Sequence, residues 1–173
     1  NFGGSRHSLP GGRLPGELPK DVQHTQIIQP FPWETWSKGR YMSGARFNNL
    51  AFITADEMYF GGQVDRAVKE YEILLKNKLE DQDKEALIQR LVSGQLRLDK
   101  SQLALDTLTE YFKQRNFEVQ QVSPQFSLLY AYAFGRSGRL EQSLAWFSRV
   151  LNEGQTHLTT NVYVGIDSVL RTI

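Results

Sequence analysis

The sequence predicts an all-α protein: a solenoid of about three helix-turn-helix repeats behind an extended N-terminal arm. Leu128–Leu151, LLYAYAFGRSGRLEQSLAWFSRVL, reads as an apolar helix, a break at Gly138 and a second, amphipathic helix. The same order recurs at Asp56–Lys76, DEMYFGGQVDRAVKEYEILLK, with Gly62 at the break. A weaker copy runs from Ile88 to Phe112, with Asp99 where the glycine would stand. The small residues inside the three second helices, Ala67, Ala104 and Ser143, lie 37 and 39 residues apart. A helical hairpin recurring every ~34–40 residues cannot bury its apolar face alone and stacks on its neighbours.

Residues 1–45 form the arm. Pro10, Pro15, Pro19, Pro30 and Pro32 are five of the six prolines, and seven of the 14 glycines precede residue 45. Proline removes a backbone donor and glycine is costly to order, so this stretch predicts extended chain. Within it, IIQPFPWETWSKGRY carries Phe31, Trp33, Trp36 and Tyr41. Aromatic rings need burial, so these four are candidate anchors. They either cap the apolar end of the helical stack or dock on a partner protein.

Residues 46–154 form the helical body. The first helix is expected over Phe47–Phe60, closed by Gly61-Gly62, because glycine takes the left-handed conformation that ends a helix. The second, about Gln63–Lys76, carries Val64, Ala67, Val68, Tyr71, Leu74 and Leu75 as one apolar stripe. Asp81 or Asp83 is the expected cap of the third, whose stripe is Leu87, Ile88, Leu91 and Leu96. Leu103, Ala104, Leu105, Leu108, Tyr111 and Phe112 mark the fourth. Ser123-Pro124 starts the fifth as a cap followed by proline in the first turn. The sixth runs from Arg139 to Leu151, with Gly154 closing it. Residues 155–173 read as a capping helix or the start of a further repeat, although β-branched residues leave strand as an alternative.

Composition narrows the function classes. The 173 residues are 40% hydrophobic and 23% charged with a net charge of +1, which gives no global field toward nucleic acid or membrane. The absence of cysteine excludes disulfides, thiolate metal sites and a cysteine nucleophile. No apolar run reaches the ~18 residues of a membrane span. The chain begins at Asn1 without a methionine or a signal-peptide plan, which reads as a trimmed product. His7, His24 and His157 have no metal-ligand spacing, and no phosphate loop or serine nucleophile motif is present. The expectation is a chain that is not an enzyme and takes no cofactor or metal.

Gly62, Ala67 and Tyr71, with Gly138, Ser143 and Phe147, follow a glycine-then-small-residue plan with an aromatic four residues later. Over about residues 46–152 this resembles the tetratricopeptide repeat, with Ala104 and Leu108 as the middle copy. The stretch Gly138–Gly154 is also similar to the second helix of a pentatricopeptide repeat, a related RNA-binding family. The first resemblance implies a right-handed solenoid that binds other protein subunits or a peptide segment on its first helices. The residues it places there are Asn49, Phe52, Asp56, Tyr59, Gln89, Ser93, Arg97, Leu128, Tyr132 and Arg136. The lysine and asparagine set with which some members grip a terminal carboxylate is missing. The expected function is a protein-protein interaction scaffold or adaptor subunit of a larger assembly. The alternative is a pentatricopeptide-like RNA-binding subunit of an organellar ribonucleoprotein, drawing on Arg90, Arg97 and Arg136.

Overall fold

Every regular element in the computed structural model is helical; it describes residues 31–34, 51–153 and 158–171. Residues 32–34 are helical and come first in the chain. The α-helices after them are α1 (Ala51–Phe60), α2 (Val64–Leu75), α3 (Asp81–Arg97), α4 (Ser101–Gln114), α5 (Pro124–Arg136), α6 (Leu140–Asn152) and α7 (Thr159–Leu170). A short 3-10 turn, Val119–Gln121, separates α4 from α5. The strand alternative for the last segment is thereby set aside: α7 buries Val162, Gly165 and Val169 at helical spacing.

The three predicted breaks share one geometry. Gly62, Asp99 and Gly138 all take positive φ, at 90°, 60° and 85°. At each, the next residue donates its amide to the carbonyl five residues back: Gln63 to Met58, Lys100 to Gln95 and Arg139 to Phe134, all at 2.8 Å. This bond is the 6→1 closure of a Schellman motif, which needs a left-handed residue after the helix. Glycine takes that conformation freely, whereas Asp99 holds it against a steric penalty. Asp99→Gly is therefore expected to raise the unfolding free energy by about 0.5–1 kcal/mol. A higher urea midpoint at unchanged slope is the readout. A lower midpoint would show that the aspartate side chain helps to build the turn.

Ser123 accepts a hydrogen bond from the Phe126 amide at 3.3 Å and precedes Pro124, as the cap pattern predicts. The predicted cap of α3 needs correction. Glu80 is the N-cap and makes no side-chain bond there, while Asp81 and Asp83 lie within the first turn. Negative charge there suits the helix dipole without capping any amide. Helix α1 is described from Ala51 onward, so its predicted start at Phe47 lies outside the described residues, as does Gly154.

Packing runs along the chain. Each helix packs on the next, and α5 additionally touches α3 and α7. The second helices α2, α4 and α6 bury one stripe each, with Ala67, Ala104 and Ser143 fully enclosed. Tyr71, Leu108 and Phe147 follow four residues later and are likewise inaccessible. By contrast, α3 is buried at Leu87, Ile88 and every residue from Arg90 to Leu96, and α5 is buried from Phe126 to Ala133. A helix buried all round has neighbours on more than one face. For α3, one of those neighbours is the Phe31–Glu34 segment.

Candidate functional site

The segment Phe31-Pro32-Trp33-Glu34 is built as a helix start. Pro32 occupies the first helical position, where its missing N–H is no loss. Glu34, two residues later, reaches back to accept the Phe31 amide at 2.7 Å, which is the carboxylate half of a capping box. This turn holds the Phe31 ring, the Trp33 ring and the Glu34 carboxylate in fixed relation. All three side chains are buried.

The segment lies across α1, α3 and α5. Trp33 packs its ring against Tyr59 and Phe60 of α1, at centroid distances of 5.0 and 5.7 Å. Its indole N–H donates to Ser93 Oγ of α3 at 2.7 Å. Ser93 in turn donates to the Gln89 carbonyl at 2.7 Å, so the hydroxyl is satisfied in both directions. Phe31 meets Tyr132 of α5 edge to face at 5.3 Å, and the Arg97 guanidinium lies 5.1 Å from the Phe31 ring. Glu34 takes both oxygens to Arg97, with Nε and Nη2 each donating at 2.7 Å, and also accepts the Tyr59 hydroxyl. A bidentate arginine–carboxylate pair fixes direction as well as energy.

A second carboxylate lies under this layer. Asp56, fully buried, accepts Arg90 Nε at 3.0 and 3.1 Å and the Tyr71 hydroxyl at 2.5 Å. The Arg90 guanidinium lies 4.8 Å from the Trp33 ring and 5.1 Å from the Phe52 ring. Cation–π contact and the buried ion pair therefore share one side chain.

Of the residues expected to contact a partner, Phe52, Asp56, Tyr59, Ser93, Leu128 and Tyr132 are buried, and Gln89, Arg97 and Arg136 are half-buried. Tyr59, Ser93, Arg97 and Tyr132 are brought together by the chain's own Phe31, Trp33 and Glu34. Leu128 instead joins the core of α5. Asn49, Trp36 and Tyr41 lie outside the described residues, as do the three histidines. Glu34 and Arg90 complete the site and were not among the expected contacts. The Pro32-to-Glu34 spacing is a legible helix-start signal, but nothing local in the sequence marks Arg97 or Arg90 as a carboxylate partner.

Burial sets the electrostatics of the phenols. It pushes the Tyr59 hydroxyl well above the ordinary tyrosine range, and the Glu34 charge adds to this. Tyr71 rises for the same reasons, with Asp56 as the nearby charge. Tyr132 is pushed up to about 12 by burial, against the lowering pull of Arg97 and Arg136. Burial opposes the charge on Arg97, yet its bonds and charge contact with Glu34 outweigh that and raise it. Arg136 is lowered by burial.

These shifts predict alkaline lability. Below pH ~10 the three phenols are neutral in both folded and unfolded chains, so their contribution is fully present. Above it the unfolded chain releases their protons and the folded chain does not, so stability falls. Each tyrosine removes about 1.4 kcal/mol per pH unit while only the unfolded form ionises. Tyr132 does so up to about pH 12. Urea titrations at pH 8 and pH 11, paired with the ultraviolet absorbance of phenolate, check this. Equal midpoints at the two values would refute it.

Among the described residues, no group of three or more His, Cys, Asp or Glu is placed to hold a metal ion, and no helix is long and apolar enough to cross a membrane. Comparison with protein-family models, with curated proteins and with solved structures returns no match.

Proposed function

We propose that the chain is a non-enzymatic protein-interaction scaffold or adaptor subunit: a right-handed solenoid of tetratricopeptide-like hairpins whose first helices receive a short aromatic–acidic protein segment. The observation that carries this reading is the Phe31–Glu34 segment lying across α1, α3 and α5. It displays the kind of ligand the face accepts: two rings and a carboxylate, read by Tyr59, Ser93, Arg97 and Tyr132. The repeated turns at Gly62, Asp99 and Gly138, and the contacts from α3 to α5 to α7, support the stacked arrangement.

The energetics suit exchange. Burying two aromatic side chains of ~150–250 Å² each stabilises by roughly 8–12 kcal/mol as an upper estimate. Ordering four residues costs about 1–2 kcal/mol each in backbone entropy, plus side-chain terms. The surplus is a few kcal/mol, small enough for a partner bearing the same pattern to displace the segment. The RNA-binding alternative draws on Arg90 and Arg97, which already hold Asp56 and Glu34. A phosphate track would have to break both pairs.

A fluorescein-labelled peptide spanning residues 28–36 provides the test. The full chain carrying Phe31→Ala and Trp33→Ala should bind it in trans. The unsubstituted chain should bind it at least about tenfold more weakly, because its own segment competes. A doubly substituted chain that is helical by circular dichroism and yet ignores the peptide would rule out a segment-binding face.

A further inference from the structure

The opposite side of α3 carries a different kind of surface. Whereas Arg90, Ser93 and Arg97 face the Phe31–Glu34 segment, Ile88, Leu91 and Gln95 line a cleft of about 440 Å³ between α2 and α4. Its volume falls within the range of ligand sites, roughly 300–1,000 Å³. Leu103 of α4 completes an apolar wall and is 43% exposed, with no described element covering it.

Three features define what would fit. Glu72, Asp106 and Glu110 line the cleft, and none of them is in an ion pair. Asp106 and Glu110 accept bonds only from the neutral amides of Gln102 and Gln114, which leave their charges uncompensated. Lys84 is the one cation lining the cleft, and it donates to Gln114. Gln95, 1% exposed, presents a side-chain oxygen that receives no hydrogen bond. A buried acceptor without a donor is costly, so a ligand that brings a donor relieves a standing penalty.

We propose that this cleft receives an arginine-bearing extended segment of a partner protein. The alkyl stem of the arginine lies along Ile88, Leu91 and Leu103. Its guanidinium donates to Gln95 and to the surrounding carboxylates at once, which a planar, weakly hydrated head with five donors does better than an ammonium. A segment fits better than a free amine because the lining runs from Lys84 to Gln95 along α3, roughly 16 Å at helical rise. That span matches about five extended residues and exceeds one side chain. This site lies on a different face of α3 from the aromatic one, so either can fail without the other.

The probe is the peptide acetyl-Ala-Leu-Arg-Leu-Ala-amide, titrated into the full-length isotope-labelled chain at low salt and followed by amide chemical shifts. Saturable shifts in α4 and at the Gln95 side-chain amide are expected, weakening as salt is added. Gln95→Leu should weaken binding about tenfold or more while raising Tm, because it removes both the acceptor and its penalty. A rise in Tm separates lost recognition from lost folding. Asp106→Lys should weaken binding to a similar degree and flatten the salt dependence. No saturable shift, or unchanged binding by Gln95→Leu, overturns the site. If N-acetyl-argininamide alone binds as tightly as the peptide, the cleft belongs to a free guanidinium compound and the partner segment is overturned.

Discussion

Arg90→Met lowers the unfolding free energy by about 3–5 kcal/mol, the range for removing one partner of a buried ion pair. The asymmetry between the partners sets this size. Asp56 is wholly enclosed, whereas the Arg90 side chain is 8% exposed. Without Arg90, the carboxylate keeps only the Tyr71 hydroxyl as a hydrogen-bond donor among its recorded bonds. Methionine fills much of the volume and keeps contact with the Trp33 and Phe52 rings, so the loss reports charge more than packing. For a chain of this size, each kcal/mol moves Tm by roughly 2–4 °C, which puts the expected drop on the order of 10 °C. Adding Asp56→Asn to Arg90→Met should recover part of the loss, since the unpaired charge is then gone. A double-mutant cycle measures that recovery. If Arg90→Met alone shifts the urea midpoint by less than the equivalent of about 1 kcal/mol, the pair is better solvated than its burial indicates.

The same pair shows which parts of the molecule were legible in the sequence. The hairpin breaks were, because a left-handed helix end leaves a local mark: Gly62 and Gly138 carry it openly, and Asp99 sits in the same register. The enclosed stripes of α2, α4 and α6 were legible too, since each is a one-sided apolar pattern. Helix α3 was legible only on one side. Its apolar stripe through Leu87, Ile88, Leu91 and Leu96 was visible, but Arg90, Ser93 and Gln95 read as polar interruptions and are buried as well. What makes Arg90 tolerable inside is Asp56, 34 residues earlier, and no periodicity reports a match over that distance. Groove positions and arm aromatics could be named separately, from helical register in one case and from composition in the other. That Trp33 meets Ser93 across 60 residues, and Glu34 meets Arg97 across 63, is a property of the fold alone.

Trp33→Ala is the substitution that bears most directly on how the segment is held, and it is expected to cost about 3–5 kcal/mol. The indole is 3% exposed and touches three kinds of partner at once: the rings of Tyr59 and Phe60, the Arg90 guanidinium and the Ser93 hydroxyl. Removing it opens a cavity next to two buried ion pairs, which the neighbouring side chains cannot close without breaking their own bonds. Trp33→Phe separates the contributions. It keeps an aromatic face for Arg90 and gives up the indole N–H. Ser93 still donates to the Gln89 carbonyl, so its loss is limited to about 1–2 kcal/mol. The spatial pattern of the damage is as informative as its size. If the segment docks as one unit, Trp33→Ala should speed hydrogen exchange at the Glu34 amide, which bonds the Phe31 carbonyl at 3.0 Å, and leave the closing bonds at Gly138 protected. Uniform loss of protection across α1 to α7 would mean that the segment is an integral part of the core. It could not then be exchanged for a partner's segment, and the face it covers would not be a binding site.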